Sequence, residues 1–167
     1  MYMAISQDGF IAGPNDETPW SDDEFDAFET FVQSCDVVVM GRRTFEIMME
    51  DDELIEGPEY IVATHDELLV DGIGQVVITS AEDMPEGEHV GVIGGGDLNG
   101  QLMKLGVIDE LILDIEPVML GQGIRLFGDH DVALRMELID SRPIGEGGTI
   151  QRHYRIVPES SYIDADS

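Results

Sequence analysis

The chain has 167 residues and a formal net charge of −28, from 36 acidic against 8 basic side chains, with Lys104 as its one lysine. Such a charge repels the phosphates of nucleic acid and the anionic face of a membrane, which excludes both as partners. A disordered acidic tail is excluded too, because 43% of the residues are hydrophobic and the acids run along the whole length.

Met1 to Ser6 reads as a strand, and Gln7-Asp8-Gly9 as a turn. Phe10 and Ile11 resume the apolar character before a loop that reaches Trp20. Ser21 with Glu24 three residues on forms a capping box. The helix behind it places Phe25, Phe28, Phe31, Val32 and Cys35 on one face. Val37 to Met40 is a continuous apolar run, as expected of a strand buried on both faces. Gly41-Arg42-Arg43-Thr44 opens a second helix, through about Glu50. Tyr60 to Ala63 and Val76 to Thr79 are the next expected strands, followed by Val90 to Ile93. Gly94-Gly95-Gly96 then leads to Asp97, the expected cap of a helix from Leu98 to Leu105 that stops at Gly106. Leu111 to Val118 is a long strand. Ala133 to Asp140 and Ile150 to Val157 pair as an antiparallel hairpin across Gly145 to Gly148. These elements predict an α/β fold of three layers, with a central mixed, mostly parallel sheet flanked by helices and a C-terminal hairpin. Residues 1–157 form one domain, and 158–167 a polar tail.

No run approaches the ~20 apolar residues of a membrane span, and no secretory leader is read, so a cytoplasmic protein is expected. Near 1 M salt the Debye length falls to about 3 Å and screens most of the self-repulsion. The acid excess therefore resembles the surface of a halophile protein. Cys35 stands alone, with no cation beside it to lower its pKa, and reads as a buried residue at a helix end. His89, His130 and His153 show no metal-ligand spacing, so no metal is expected.

Three strand ends carry turn-and-cap chemistry: Gly41 to Thr44, Thr64-His65, and Gly94 to Leu98. Glycines leading into a helix N-terminus suit a phosphate, because N–H groups and the helix dipole both face the anion. Three such ends fit one extended ligand at the carboxyl edge of a sheet. Arg42 and Arg43 at a helix start oppose the dipole unless an anion joins them. The rival reading pairs them with surface acids such as Asp22, Asp23 or Asp51. Thr64 likewise reads either as a ribose-phosphate contact or as an ordinary strand terminus.

Asp8-Gly9, Pro19-Trp20, VMGRRTFE at 39–46 and VIGGGDL at 92–98 together resemble dihydrofolate reductase. GVIDELILDIEPVMLGQGIRLF, 106–127, is similar to the reductase domain of the bifunctional riboflavin-biosynthesis deaminase-reductase. The two families share one fold, and the resemblance spans about residues 1–157. It implies an oxidoreductase with NADPH as hydride donor to a small heterocycle of pyrimidine or pteridine type. Position by position, it implies that Gly41, Arg42, Arg43 and Thr44 hold the adenosine side, with Thr64 near the 2′-phosphate. Ile93, Gly94, Gly95, Gly96, Asp97 and Leu98 then cradle the pyrophosphate and nicotinamide ribose, and Ala4 and Ile11 flank the ring. The riboflavin-type resemblance also implies a homodimer. The substrate half departs from both families. The acid that dihydrofolate reductases carry on the first helix falls at Phe25, between Glu24 and Asp26, which read equally as solvated surface acids. Asp26, with the helix reset, is the expected proton donor, and a bound water is its rival. Three reactions or roles follow: reduction of 5-amino-6-(5-phosphoribosylamino)uracil, reduction of dihydrofolate, or nucleotide binding without catalysis.

Overall fold

The computed structural model describes residues 1–68 and 70–158; all of the polar tail beyond Pro158 lies outside the described residues. The elements in order are β1 (Tyr2–Ile5), β2 (Phe10–Ala12), α1 (Asp22–Gln33), β3 (Val37–Gly41), α2 (Arg42–Glu50), β4 (Glu59–Ala63) and β5 (Ile73–Val76). There follow β6 (Val90–Val92), α3 (Gly96–Leu105), β7 (Glu110–Ile115), β8 (Ile124–Arg125), β9 (Arg135–Ile144) and β10 (Thr149–Val157). No helix among the described residues is long and apolar enough to cross a membrane.

The strands form a parallel sheet in the order β5-β4-β3-β6, a mixed sheet in the order β1-β7-β10-β9, and a β2-β8 ribbon. β1 and β7 run parallel, while the β9–β10 hairpin adds antiparallel to β7. The run Val37 to Met40 is buried on both faces, as its unbroken apolarity predicts. Val37 and Val39 pack with Leu98 and Leu102 of α3. Val38 and Met40 face the other way, against Val32, Phe45 and Met48 on and around α1 and α2. This alternation makes the three layers, helix on sheet on helix.

Several boundaries move, each for a local reason. The strand expected at Val76–Thr79 lies earlier, at Ile73–Val76, because the Asp83 carboxylate accepts the N–H and hydroxyl of both Thr79 and Ser80 and turns the chain there. Gly74 belongs to this strand, paired with Ile61 of β4, whose side chain a Cβ at 74 would approach to 3.1 Å. The strand expected through Val118 ends at Ile115, just ahead of Pro117, which has no N–H for a ladder. The third helix is capped by Gly95, not Asp97, which lies in its first turn and bonds His130 at 2.8 Å. Ser21 does cap α1, accepting the Glu24 N–H at 3.2 Å. The other half of the expected capping box is filled from elsewhere: Glu116, not Glu24, accepts the Ser21 N–H, at 3.1 Å. Cys35 is buried just past α1, its thiol donating to the Phe31 carbonyl, and burial pushes that thiol up.

Candidate active site

One cleft of about 700 Å³ opens between the ends of β1, β3 and β6 and the starts of α1, α2 and α3. Of the residues predicted to meet the cofactor, Ala4, Ile11, Gly41, Arg42, Arg43, Thr44, Ile93, Gly95, Gly96, Asp97 and Leu98 all line it. The sequence motifs thus converge on one place.

The floor of this half is backbone. The Gly41 N–H donates to the Gly94 carbonyl at 2.7 Å and ties the end of β3 to the glycine turn. Gly94 is buried behind the lining, with a φ of +106°, a conformation open to glycine. Its Cβ would meet the Met3 side chain at 3.3 Å. Gly96 has a different duty: a Cβ there would sit 2.5 Å from the Arg125 carbonyl and 2.9 Å from the Gly128 nitrogen. Helix α3 can therefore begin only if residue 96 has no side chain. Both α2 and α3 start from a glycine, Gly41 and Gly95, with no side-chain hydrogen bond at the cap. Two helix N-termini thus line one cleft without a protein cap, and each concentrates partial positive charge there.

The arginines are paired. Arg42 bonds Glu46 at 2.8 Å, and Arg43 bonds Asp16 at 2.9 Å with Glu46 at 3.9 Å. These are surface acids, though not Asp22, Asp23 or Asp51. Both guanidinium groups still line the cleft. Thr64 does not: its hydroxyl accepts the Asp66 N–H at 3.1 Å, the arrangement of an ordinary strand terminus.

The opposite half is aromatic and contains a buried acid. Trp20, Phe25, Phe28 and Met48 line it. Asp26, the expected proton donor, is exposed and does not line the cleft. The residue that faces inward is Glu24, 5% exposed. Two residues along a helix turn a side chain by about 200°, so Glu24 and Asp26 cannot share a face.

Glu24 lies in a buried polar cluster. The Tyr2 hydroxyl sits between Glu24, 3.2 Å away, and the carboxylate of Asp114 on β7, to which it is also hydrogen-bonded. Phe31 stacks on the Tyr2 ring with centroids 5.0 Å apart and helps keep water out. Glu116, 2% exposed, accepts from the Ser21 hydroxyl at 3.0 Å and the Thr149 hydroxyl at 2.7 Å. Burial, with the negative charge of Asp114 second, pushes the Glu24 carboxyl up to about 8, against the Tyr2 hydrogen bond, which favours the ionised form. Burial likewise raises the Asp114 carboxyl. The Tyr2 hydroxyl is driven far above its usual range by burial and then by both acids, so it remains protonated. Neither Tyr2 nor Asp114 was expected at the site. Their signal is present in the sequence as Asp114 and Glu116, two acids at i and i+2 in an otherwise apolar strand.

The sequence model of the RibD C-terminal domain matches residues 69–150. "Uncharacterized protein YwjB" of Bacillus subtilis (strain 168) is 28% identical over 170 residues, covering 92% of this chain and 95% of that protein. A putative riboflavin biosynthesis protein from Shewanella sp. PV-4 superposes with a TM-score of 0.79 at 22% identity, over 94% of this chain and 97% of that one. Dihydrofolate reductase from Enterococcus faecalis, solved with NADP(H), superposes with a TM-score of 0.71 at 20% identity, over 94% and 95%. The chain therefore resembles the RibD C-terminal domain in sequence and has the fold common to RibD-type and dihydrofolate reductases.

Proposed function

We propose that residues 1–157 form an NADPH-dependent reductase acting on a small heterocycle, with Glu24 in the place expected of Asp26. The observation that carries this reading is a single cleft with two uncapped glycine N-termini on one side and a buried carboxyl, Glu24, on the other. The donor set fits a nicotinamide dinucleotide. A pyrophosphate would satisfy the free first-turn N–H groups behind Gly41 and Gly95. Arg42, Arg43 and Thr44 would hold the adenosine side. Gly95, Gly96, Asp97 and Leu98 would hold the pyrophosphate and nicotinamide ribose, while Ala4, Ile11 and Ile93 would flank the ring. When bound, the cofactor supplies the hydride. Apolar Ala4, Ile11 and Ile93 exclude water there. Glu24 binds the polar edge of the heterocycle and gives it a proton.

The match over 69–150 supports a pyrimidine of the kind reduced in riboflavin synthesis, such as 5-amino-6-(5-phosphoribosylamino)uracil. Dihydrofolate is the second reading, favoured by an acid on the first helix. A soluble cytoplasmic enzyme working in concentrated salt fits the acid excess. A homodimer through β9 is part of the proposal, since this edge strand leaves Leu138 and Ile139 exposed. Fluorescence titration with NADPH in molar KCl tests the cofactor, and NADPH oxidation with each heterocycle tests the substrate. Tight NADPH binding with neither oxidised would indicate a nucleotide-binding protein without this catalysis.

A further inference from the structure

Tyr2, Glu24 and Asp114 come from β1, α1 and β7 and meet in a space with almost no exposure, at 2%, 5% and 0%. The Tyr2 hydroxyl contacts both carboxyls. A hydroxyl has one hydrogen, so it can donate to only one of them. Were both ionised, two like charges would face each other in a buried site, and Glu24 or Asp114 would lose its donor. Glu116 does not relieve this, because its own oxygens are taken by Ser21 and Thr149. Gln151 on β10 and the charge of Arg142 on β9 both favour the ionised form of Asp114, which leaves the proton to Glu24.

We propose that Glu24 and Asp114, bridged by Tyr2, hold one proton between them and present it to the cleft at Glu24, with Asp114 as a positioning residue. Tyr2 gives its hydrogen to Asp114, and its oxygen accepts the Glu24 carboxyl hydrogen until that hydrogen turns to a substrate nitrogen in the cleft. Only the consequence for turnover rests on the reductase reading. In turnover the Glu24 O–H bond breaks and a substrate N–H bond forms. Water entering the cleft then returns a proton to Glu24. Asp114 never touches substrate; its negative charge and its claim on the Tyr2 hydrogen keep the proton on Glu24.

Infrared spectroscopy of the full chain in molar KCl tests this through the C=O stretch of a protonated carboxyl, which needs neither cofactor nor substrate. At pH 7 the wild type should show one such band, lost in one step at higher pH. Glu24→Gln should erase it at pH 7. Asp114→Asn should keep it at low pH but lose it at least about one pH unit earlier than the wild type, because the Asp114 charge opposite Glu24 is gone while burial and Glu116 remain. Glu116→Gln and Asp26→Asn should keep it. A band lost at the same pH in Asp114→Asn as in the wild type would mean that burial alone protonates Glu24 and would overturn the shared-proton pair. Absence of the band from wild type at pH 7 would overturn it as well, and that result stands even if Asp114→Asn fails to fold. In NADPH oxidation, Asp114→Asn should move the alkaline limb at least about tenfold in proton concentration. Failure to bind NADPH at all would refute the reductase reading while leaving the band in place.

Discussion

The two halves of the cleft are built by different means. The half proposed to hold the cofactor is made of backbone: glycines at two helix starts and a turn drawn to β3 by a main-chain hydrogen bond. The substrate half is made of side chains from three separate elements, meeting around one tyrosine hydroxyl. Backbone sites tolerate side-chain change but not added volume. Side-chain sites keep their shape under conservative substitution but lose their chemistry. Each half should therefore fail in its own way.

The largest effect should come from Gly96→Ala. Its methyl would meet main-chain atoms at 2.5 Å and 2.9 Å, which cannot rotate away. A stability loss of about 3 kcal/mol is expected, together with loss of NADPH binding; urea unfolding and fluorescence titration check both. An unchanged midpoint would show that the packing of α3 is looser than described. Next is Glu24→Gln, which keeps the shape and removes the acid. Turnover should fall about 10²–10⁴-fold with NADPH affinity unchanged, whereas Asp26→Asn should leave turnover within about twofold. A larger loss in Asp26→Asn would return the proton donor to the sequence expectation.

The same acid predicts how stability responds to pH. Folding raises the Glu24 carboxyl from 4.5 to about 8, so between those values the folded chain binds more protons than the unfolded one. This contribution to stability is intact at low pH and is lost as pH rises through that window. Glu24→Gln should therefore raise Tm at pH 8 and leave it nearly unchanged near pH 4.5. Equal shifts at both pH values would mean that the carboxyl is not buried in its charged-form-disfavouring site. The smallest effect belongs to Arg43→Ala, whose side chain is 61% exposed and already paired with Asp16. NADPH binding should weaken about tenfold and NADH binding much less; equal weakening would remove Arg43 from the 2′-phosphate.

Much of the cofactor half was legible in the sequence because its signals are local. VMGRRTFE and VIGGGDL each encode a strand end, a glycine and a helix start within eight residues, and both reach the cleft. The departures there were small and local too: Asp97 read as a cap because glycine caps leave no side-chain mark, and of the two readings of Thr64 the strand terminus matches its bond to the Asp66 N–H. The substrate half was not legible. Tyr2 and Asp114 are 112 residues apart in the chain, and only the parallel pairing of β1 with β7 brings them together. The choice between Glu24 and Asp26 is a question of helix rotation. Ser21 fixes that rotation by capping α1, and Glu116 then holds Ser21 from a distant strand. The capping box read from Ser21 and Glu24 assigned the Ser21 N–H to Glu24, whereas Glu116 accepts it and Glu24 turns to the cleft.

The most direct test compares wild type and Glu24→Gln for oxidation of NADPH by a pyrimidine substrate in molar KCl, with NADPH affinity measured on the same samples. The account predicts equal affinity in the two proteins and turnover at least about a hundredfold lower in the variant. Equal turnover in both, or no NADPH binding by wild type, would contradict it.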